Sequence, residues 1–222
     1  MMLPQLIVAF GEALFDTDRD RALRVVRAAV DEGVTPEEVV FEVVIPALEQ
    51  GAGALGENME LNLAQHFLTS QIAADVTAEM LLRFQRTPEM VGRVVIGSAQ
   101  GDLHTLGKRI VMGCLRAQMI ECHDLGVNVV PELFVAEAVG RNAPIIAISA
   151  MMVHTARGEN GCLRVRELLK VQGLEDRIKI IVGGAPFRFD PQLYQRVHAD
   201  AWAPDGVTAG KVVAKLIEEV RT

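Results

Sequence analysis

The sequence has few cysteines and no dense run of basic residues, and these absences exclude several classes of protein. Its 222 residues include only three cysteines, Cys114, Cys122 and Cys162, with no C-x-x-C pair. An odd number of cysteines inside regular patterns indicates buried thiols in a reducing cytoplasm and argues against a disulfide framework. The formal net charge of −7, with no stripe of lysine and arginine, argues against a nucleic-acid surface in this chain.

Long apolar runs and metal-finger patterns are also missing. No stretch is apolar for long enough to span a bilayer. The short apolar start, residues 1–12, lacks a basic leader and predicts a first helix instead of a signal peptide. No cluster of histidine and cysteine has the spacing of a zinc site formed by the protein alone. We therefore expect a cytoplasmic protein without a membrane segment.

Helical periodicity dominates residues 1–85. Apolar residues recur at helical spacing from Asp20 to Val30, and the box Thr35-Pro36-Glu37-Glu38 opens a longer helix that Pro46 is expected to kink. A further helix is predicted from about residue 60 to residue 84. With the first segment these make four helices joined by short turns, which predicts a four-helix bundle followed by a linker at 86–93.

From residue 94 to residue 222 the pattern alternates between strand and helix. The candidate strands are 94–97, 120–125, 145–149, 178–182 and 201–203. Five strands with crossover helices predict an α/β domain with an open, parallel, doubly wound sheet. In such sheets ligands bind beyond the carboxyl ends of the strands, near the point where the strand order reverses.

Asp102, His104 and Gly107 form a D-x-H-x-x-G motif directly after the first predicted strand. A histidine with a carboxylate two residues earlier offers an imidazole nitrogen to a metal, because the acid fixes the tautomer and raises the basicity of the ligand. One ligand on a glycine-containing loop suits an axial bond to a metal that a macrocycle already holds. Taken alone, the motif is more often a loop histidine hydrogen-bonded to its neighbour.

Two other predicted strands also end in unusual residues. Ser149 ends the third strand, and Gly183 and Gly184 end the fourth. Taken singly, a serine caps a strand and two glycines form a turn with positive φ. Placed together on the edge that also carries Asp102 and His104, they favour one common binding site.

The order D-x-H-x-x-G, then Ser149-Ala150-Met151, then Gly183-Gly184, resembles the cobalamin-binding domain of methionine synthase, corrinoid methyl carriers, certain mutases and cobalamin light sensors. The resemblance implies a Rossmann- or flavodoxin-like domain over residues 94–222. Met151 stands where leucine is usual and preserves the apolar volume.

The resemblance also implies roles for these residues. His104 would displace the cofactor's benzimidazole and become the lower axial ligand of cobalt, with Asp102 orienting its imidazole. Ser149 would hydrogen-bond the displaced base, and Gly183 and Gly184 would leave room for the nucleotide tail.

Residues 1–85 resemble the helical cap that shields the upper face of cobalamin in methionine synthase, methyl carriers and light-responsive repressors. Light-sensing caps carry a tryptophan, nine residues, then Glu-His, whereas this chain has Leu55, nine residues, then Gln65-His66. Methyl-carrier caps usually lack this histidine. The resemblance makes His66 a candidate upper axial ligand, with Leu55 and Met59 as further cofactor contacts. The competing interpretation of His66 is a helix histidine satisfied by a neighbouring side chain.

Two functions remain open on this sequence. The expectation, which the Gln65-His66 pair favours, is a light-responsive photoreceptor that uses adenosyl-, methyl- or hydroxocobalamin, with biliverdin as a second pigment. It would signal through a second copy of the chain or a separate effector protein. The alternative is a corrinoid methyl carrier, which is no enzyme by itself and serves separate methyltransferases. One fold hosts both activities, so the fold cannot separate them.

Overall fold

A computed structural model describes residues 2–54, 59–84, 90–157 and 160–221, with side chains described outside 51–63. The strands are β1 (Gly92–Ser98), β2 (Ile120–Asp124), β3 (Ile145–Ser149), β4 (Lys179–Gly183) and β5 (Ala201–Ala203). The helices are α1 (Leu3–Phe15), α2 (Arg19–Asp31), α3 (Pro36–Glu38), α4 (Ile45–Ala54), α5 (Met59–Leu81), α6 (Leu106–Ala117), α7 (Pro131–Gly140), α8 (Val153–Arg157), α9 (Cys162–Val171), α10 (Ala185–Phe189), α11 (Leu193–Arg196) and α12 (Gly206–Arg221).

The chain forms two compact units. The first comprises Met1–Glu89 with Ile110–Met119, and the second comprises Met90–Arg109 with Ile120–Thr222. The predicted division at 1–85, 86–93 and 94–222 stays a prediction, since half of the expected linker lies outside the described residues. No helix within the described ranges is both long and apolar enough to cross a membrane.

In the helical unit α1 packs against α2, α4 and α5 around an apolar core that includes Leu6, Phe10, Val26, Val43 and Met80. The predicted capping box is confirmed. Thr35 Oγ1 accepts a hydrogen bond from the Glu38 backbone N–H at 3.2 Å, and the Glu38 carboxylate accepts one from the Thr35 N–H at 2.8 Å. These two bonds satisfy backbone donors that the start of a helix otherwise leaves unpaired.

The irregularity that Pro46 predicts takes the form of a π-helix over Val39–Val44, between α3 and α4. Proline has no N–H, so it cannot bond to the carbonyl four residues earlier. The Ile45 N–H bonds instead to Val40 O, five residues back, which is the spacing of a π turn. The widened turn therefore precedes the proline.

The second unit is built on a fully parallel five-stranded sheet with the order β2-β1-β3-β4-β5. This is the flavodoxin type of doubly wound sheet, so the predicted fold class is confirmed. The strand order reverses between β1 and β3, whose last residues Ser98 and Ser149 are paired. The ligand-binding edge that such a reversal creates is therefore the one that carries the motif residues.

The cysteines only partly follow the expectation of burial. Cys114 and Cys162 are buried, and burial raises the pKa of the Cys162 thiol to about 12. Cys122 is half-buried, because it lies on the edge strand β2.

Candidate functional site

The loop after β1 is fixed by hydrogen bonds of its own backbone. Ser98 Oγ donates to His104 O at 2.7 Å. Gly101 has a φ of +83°, a conformation that favours glycine, and its N–H donates to Asn128 Oδ1 at 2.7 Å. The Asn128 N–H in turn donates to Asp102 O at 2.9 Å. The loop is therefore held both by the strand that it leaves and by the segment that follows β2.

The Asp102 carboxylate lies at the centre of the site and is only 1% exposed. Its Oδ1 accepts from the His104 N–H at 3.0 Å and from His104 Nδ1 at 2.8 Å. Its Oδ2 accepts from the Met151 N–H at 2.6 Å and from Thr155 Oγ1 at 3.0 Å. Burial by itself raises the pKa of Asp102, but the hydrogen bonds from Met151, His104 and Thr155 outweigh it and hold the pKa below its ordinary value.

This hydrogen bonding selects one tautomer of His104. An ionised carboxylate can only accept, so Nδ1 carries the hydrogen and the neutral ring keeps its lone pair on Nε2. The His104 side chain is 54% exposed. Within the described ranges, no three His, Cys, Asp or Glu side chains are grouped to hold a metal ion. The loop thus offers a single nitrogen, as suits a metal whose other ligands belong to a macrocycle.

The ends of β3 and β4 lie beside this loop. Ala99 N–H donates to Ser149 O at 2.9 Å, and Ala150 N–H donates to Gly183 O at 3.0 Å. The sheet therefore brings the residues of the three motif segments to one carboxyl edge, namely Asp102, His104, Gly107, Ser149, Met151, Gly183 and Gly184.

The three glycines meet different constraints. Gly184 has a φ of +113°, and a Cβ there would lie 2.0 Å from Ala150 O, so the fold itself requires glycine. A Cβ at Gly183 would meet Ala203 O at an ordinary 3.5 Å, and one at Gly107 would meet nothing within 4 Å. The fold does not require glycine at Gly183, where a missing side chain leaves space at the strand end. Such space fits the tail of a large cofactor.

Thr155 is a site residue that the sequence pattern did not indicate. Its side chain is buried on α8, and besides Asp102 its hydroxyl contacts Met152 O at 2.9 Å. Met151 also acts differently from the expectation, because the contact to Asp102 comes from its backbone N–H. The only signal in the sequence was a hydroxyl residue shortly after Ser149, and its use depends on the short helix α8, which was not predicted.

Lys108 is the second residue that was missed. It is 2% exposed, and its Nζ donates to the Asp124 carboxylate and to Gly126 O. Burial by itself raises the pKa of Asp124, but the bond from Lys108 and that from the Gly126 N–H bring it below its ordinary value. Lys108 therefore ties the start of α6 to the end of β2 beside the motif loop.

The helical-unit residues of the prediction are placed only in part. Leu55 lies outside the described residues, Met59 is the first residue of α5, and His66 is half-buried on the same helix. The neighbouring Gln65 donates through Nε2 to Phe15 O at 2.6 Å, one of the last carbonyls of α1, which need partners outside the helix. Gln65 thus has a structural role that is independent of any cofactor.

A flavodoxin-type sheet binds its ligand at the carboxyl edge, and here that edge presents an imidazole whose other nitrogen is held by a carboxylate, the usual arrangement of a metal-ligating histidine. Residues 92–213 match the family model of the B12 binding domain. The chain is also 31% identical over 226 residues to the dimethylamine corrinoid protein of Methanosarcina barkeri, an alignment that covers 98% of this chain and 99% of that one. The chain therefore belongs to the family of B12-binding corrinoid proteins.

Solved structures share this fold. A cobalamin-binding protein from Desulfitobacterium hafniense superposes with a TM-score of 0.72 at 23% identity, over 94% of this chain and 97% of that one. The methanol:cobalamin methyltransferase complex MtaBC from Methanosarcina barkeri gives a TM-score of 0.69 at 20% identity, over 96% of this chain and 80% of that one.

The expectation of a light-responsive photoreceptor is wrong. Relatives that match this chain over nearly its whole length are named corrinoid proteins, among them dimethylamine corrinoid proteins of Methanosarcina barkeri and Methanosarcina acetivorans. The predictions of light sensing and of biliverdin as a second pigment depended on the photoreceptor interpretation and are not supported. The error came from the Gln65-His66 pair, because a structural residue of α5 was interpreted as part of a sensing motif.

Proposed function

We propose that this protein is a corrinoid methyl carrier, which receives a methyl group from a methylated amine or a similar small donor and passes it to an acceptor through separate methyltransferases. The observation that carries the proposal is the Asp102–His104 pair at the carboxyl edge of the sheet. It lies in a chain that aligns over nearly its full length with a dimethylamine corrinoid protein.

The described residues fit a corrinoid. His104 Nε2 would be the lower axial ligand of cobalt, and Ser149 would hydrogen-bond the displaced benzimidazole. Gly107, Gly183 and Gly184 would keep the loop and the strand end free of side chains, next to the exposed side chain of Met151. The roles of Leu55, Met59 and His66 on the upper face of the cofactor stay predictions.

The protein's own contribution is to hold one proton and one ring in place. When bound, the corrinoid supplies a cobalt ion that accepts and releases the methyl group. Asp102 keeps the proton on His104 Nδ1, and its negative charge compensates the positive charge that develops on the imidazole when Nε2 donates its lone pair. Met151 and Thr155 hold Asp102 from the other side, so the carboxylate stays in place and the ring cannot turn away without breaking its hydrogen bond to Oδ1.

The partner we propose is a methyltransferase on a separate chain. This proposal is supported by the neighbour MtaBC, which is a complex of a methyltransferase. A second copy of the chain, the other partner predicted from the sequence, stays a prediction. Adenosyl-, methyl- and hydroxocobalamin are all compatible with a site that contacts the lower face.

The first test of this proposal concerns the axial ligand. Wild type, His104→Ala and the control His123→Ala, which changes a histidine on β2, would be loaded with hydroxocobalamin and reduced to the cobalt(II) form. Electron paramagnetic resonance on protein with isotopically labelled histidine should show the coupling of one histidine nitrogen in wild type and in the control, and none in His104→Ala. Unchanged coupling in His104→Ala would remove His104 as the ligand.

The second test concerns methyl transfer. Extracts of a deletion strain of the source organism would receive the wild-type or the His104→Ala protein, each loaded with hydroxocobalamin, and dimethylamine or methanol as methyl donor. Methylation of an added thiol should depend on the wild-type protein and identify the donor. Cobalamin binding without restored transfer from any methyl donor would contradict the carrier function while leaving the axial ligand intact.

A further inference from the structure

A groove of about 470 Å³ lies at the amino-terminal edge of the sheet, on the side opposite to His104. Its lining includes Gly92, the first residue of β1, and Pro144 and Ile178, which directly precede β3 and β4. A five-residue strand spans roughly 15 Å, so an occupant of this groove would leave the carboxyl edge uncovered. Neither the motif residues nor the proposed methyl transfer uses this groove.

Part of the groove lining is apolar, and we call this part the floor. It is formed by Val139, Leu174, Ile217 and Val220 from three helix and loop segments of the second unit. A Cβ at Gly92 would lie 2.5 Å from Ile217 Cδ1, so Ile217 packs directly on the strand backbone. Val139 remains 51% exposed. Ile217 itself is buried, so an occupant with apolar side chains would remove Val139 and the half-buried Leu174 and Val220 from water.

The charged residues of the lining, which we call the rim, carry a net positive charge. They are Arg93, Arg177, Arg221 and Glu121. Glu121 is already compensated, because Arg93 Nε donates to its carboxylate at 2.7 Å. Arg177 and Arg221 form no ion pair with any residue in the described part of the chain. Although the chain as a whole has a net charge of −7, the rim would attract a negatively charged group.

We propose that this groove docks an acidic, amphipathic peptide segment of a partner protein. Arginine is suited to pair with carboxylates through two parallel hydrogen bonds, and apolar side chains between the acidic ones would fill the floor. The volume accommodates a few side chains. A second copy of the chain is a less suitable occupant, because two copies of net charge −7 repel each other. The inference does not depend on the proposed methyl transfer.

The test uses the full chain loaded with hydroxocobalamin and a fluorescent peptide of alternating leucine and glutamate, with binding followed by anisotropy. The double variant Arg177→Glu/Arg221→Glu should weaken binding about tenfold or more. Val139→Ser should weaken it about threefold through the lost apolar contact. Arg24→Glu, which reverses an exposed arginine of the helical unit, is the matched control and should bind like wild type.

Two control peptides separate a specific site from general charge attraction. A peptide with lysine in place of glutamate should not bind, and an all-glutamate peptide of the same charge should bind more weakly because it cannot fill the floor. Equal binding by the double variant, or no binding of the leucine–glutamate peptide to wild type, would overturn the proposal. Binding of octanoate without the peptide would identify a small-molecule site and overturn the proposal of a protein partner.

Discussion

Replacing Asp102 by asparagine tests the central geometric argument. The carboxylate accepts two hydrogen bonds at each oxygen, and on each side one of the two donors is a backbone N–H, of His104 or of Met151. Asparagine has one oxygen and one amino group, so in either orientation its amino group faces one of these N–H groups. The His104 ring can change tautomer and the Thr155 hydroxyl can rotate, but a backbone N–H cannot become an acceptor.

The expected loss follows from the unsatisfied donor and from the weaker bonds that remain. An unsatisfied buried N–H costs about 1–3 kcal/mol, and hydrogen bonds to a charged group are worth roughly 1 kcal/mol more than neutral ones. We therefore expect Asp102→Asn to lower the free energy of unfolding by about 2–4 kcal/mol. Loss of the group that orients a metal-ligating histidine typically lowers metal affinity about 10–100-fold. We expect Asp102→Asn to lower the affinity for hydroxocobalamin by about the same factor.

Urea unfolding of the unloaded protein gives the first quantity, and an absorption titration with hydroxocobalamin gives the second. Thr155→Val is the graded comparison, since it removes one of the four hydrogen bonds and should cost about 1 kcal/mol. The reasoning would be refuted if Asp102→Asn unfolded within about 0.5 kcal/mol of wild type, or if Thr155→Val cost as much as Asp102→Asn.

Three further predictions follow from neighbouring residues. Gly184→Ala should destabilise the protein by more than about 2 kcal/mol in urea unfolding, because its Cβ would overlap a backbone carbonyl at 2.0 Å; Gly183→Ala should leave unfolding nearly unchanged and weaken cobalamin binding. Lys108→Met should cost roughly 1–2 kcal/mol in the same assay, because it removes the bonds of Nζ to Asp124 and Gly126 O, while the partly exposed Asp124 carboxylate regains contact with water. Urea titrations at several pH values should show a progressive loss of stability as the pH falls below about 5. Asp102 and Asp124 have folded-state pKa values below the ordinary one, so their contribution is present above the ordinary pKa and disappears as pH falls through the folded value.

Matched variants identify the cause of each effect. Arg109→Met removes an exposed cation next to Lys108 and should change the unfolding free energy by less than about 0.5 kcal/mol. Asp102→Asn should show a smaller decrease of stability on acidification than wild type, since one of the two carboxyls is gone. Equal costs for Arg109→Met and Lys108→Met, or an unchanged acid profile in Asp102→Asn, would contradict these arguments.

Much of the fold could be predicted because it depends on local pattern. The buried strands of the sheet are continuous apolar runs, and all five were predicted within two residues of their ends, with the largest difference at the start of β1 at Gly92. The short helices α8 and α10 were not predicted, because five residues do not establish a helical period. The π turn before Pro46 also depends on which carbonyl each N–H reaches, and spacing alone does not specify that.

The candidate site was predictable to the extent that its residues are adjacent in the chain. Asp102 and His104 are two positions apart, so their hydrogen bond is a local property of the loop. Thr155 is 53 positions from Asp102 and reaches it only after β1 and β3 pair. Lys108 would be expected at the surface, as most lysines are, yet it is buried because Asp124 comes from the end of a neighbouring strand. Long-range partners of this kind have no signature in the spacing of either residue.

The contrast between the two histidine motifs explains why the predicted family was confirmed and the predicted photoreceptor function was wrong. The Asp102–His104 motif was supported by segments after β1, β3 and β4 that the parallel sheet brings to one edge, so an accidental match would have required three coincidences. The Gln65-His66 pair was two neighbouring residues on one helix, and the need of α1 for a partner at Phe15 O is sufficient to explain Gln65. Two neighbouring residues on a single helix therefore support a function only when neither side chain is already explained by a structural hydrogen bond.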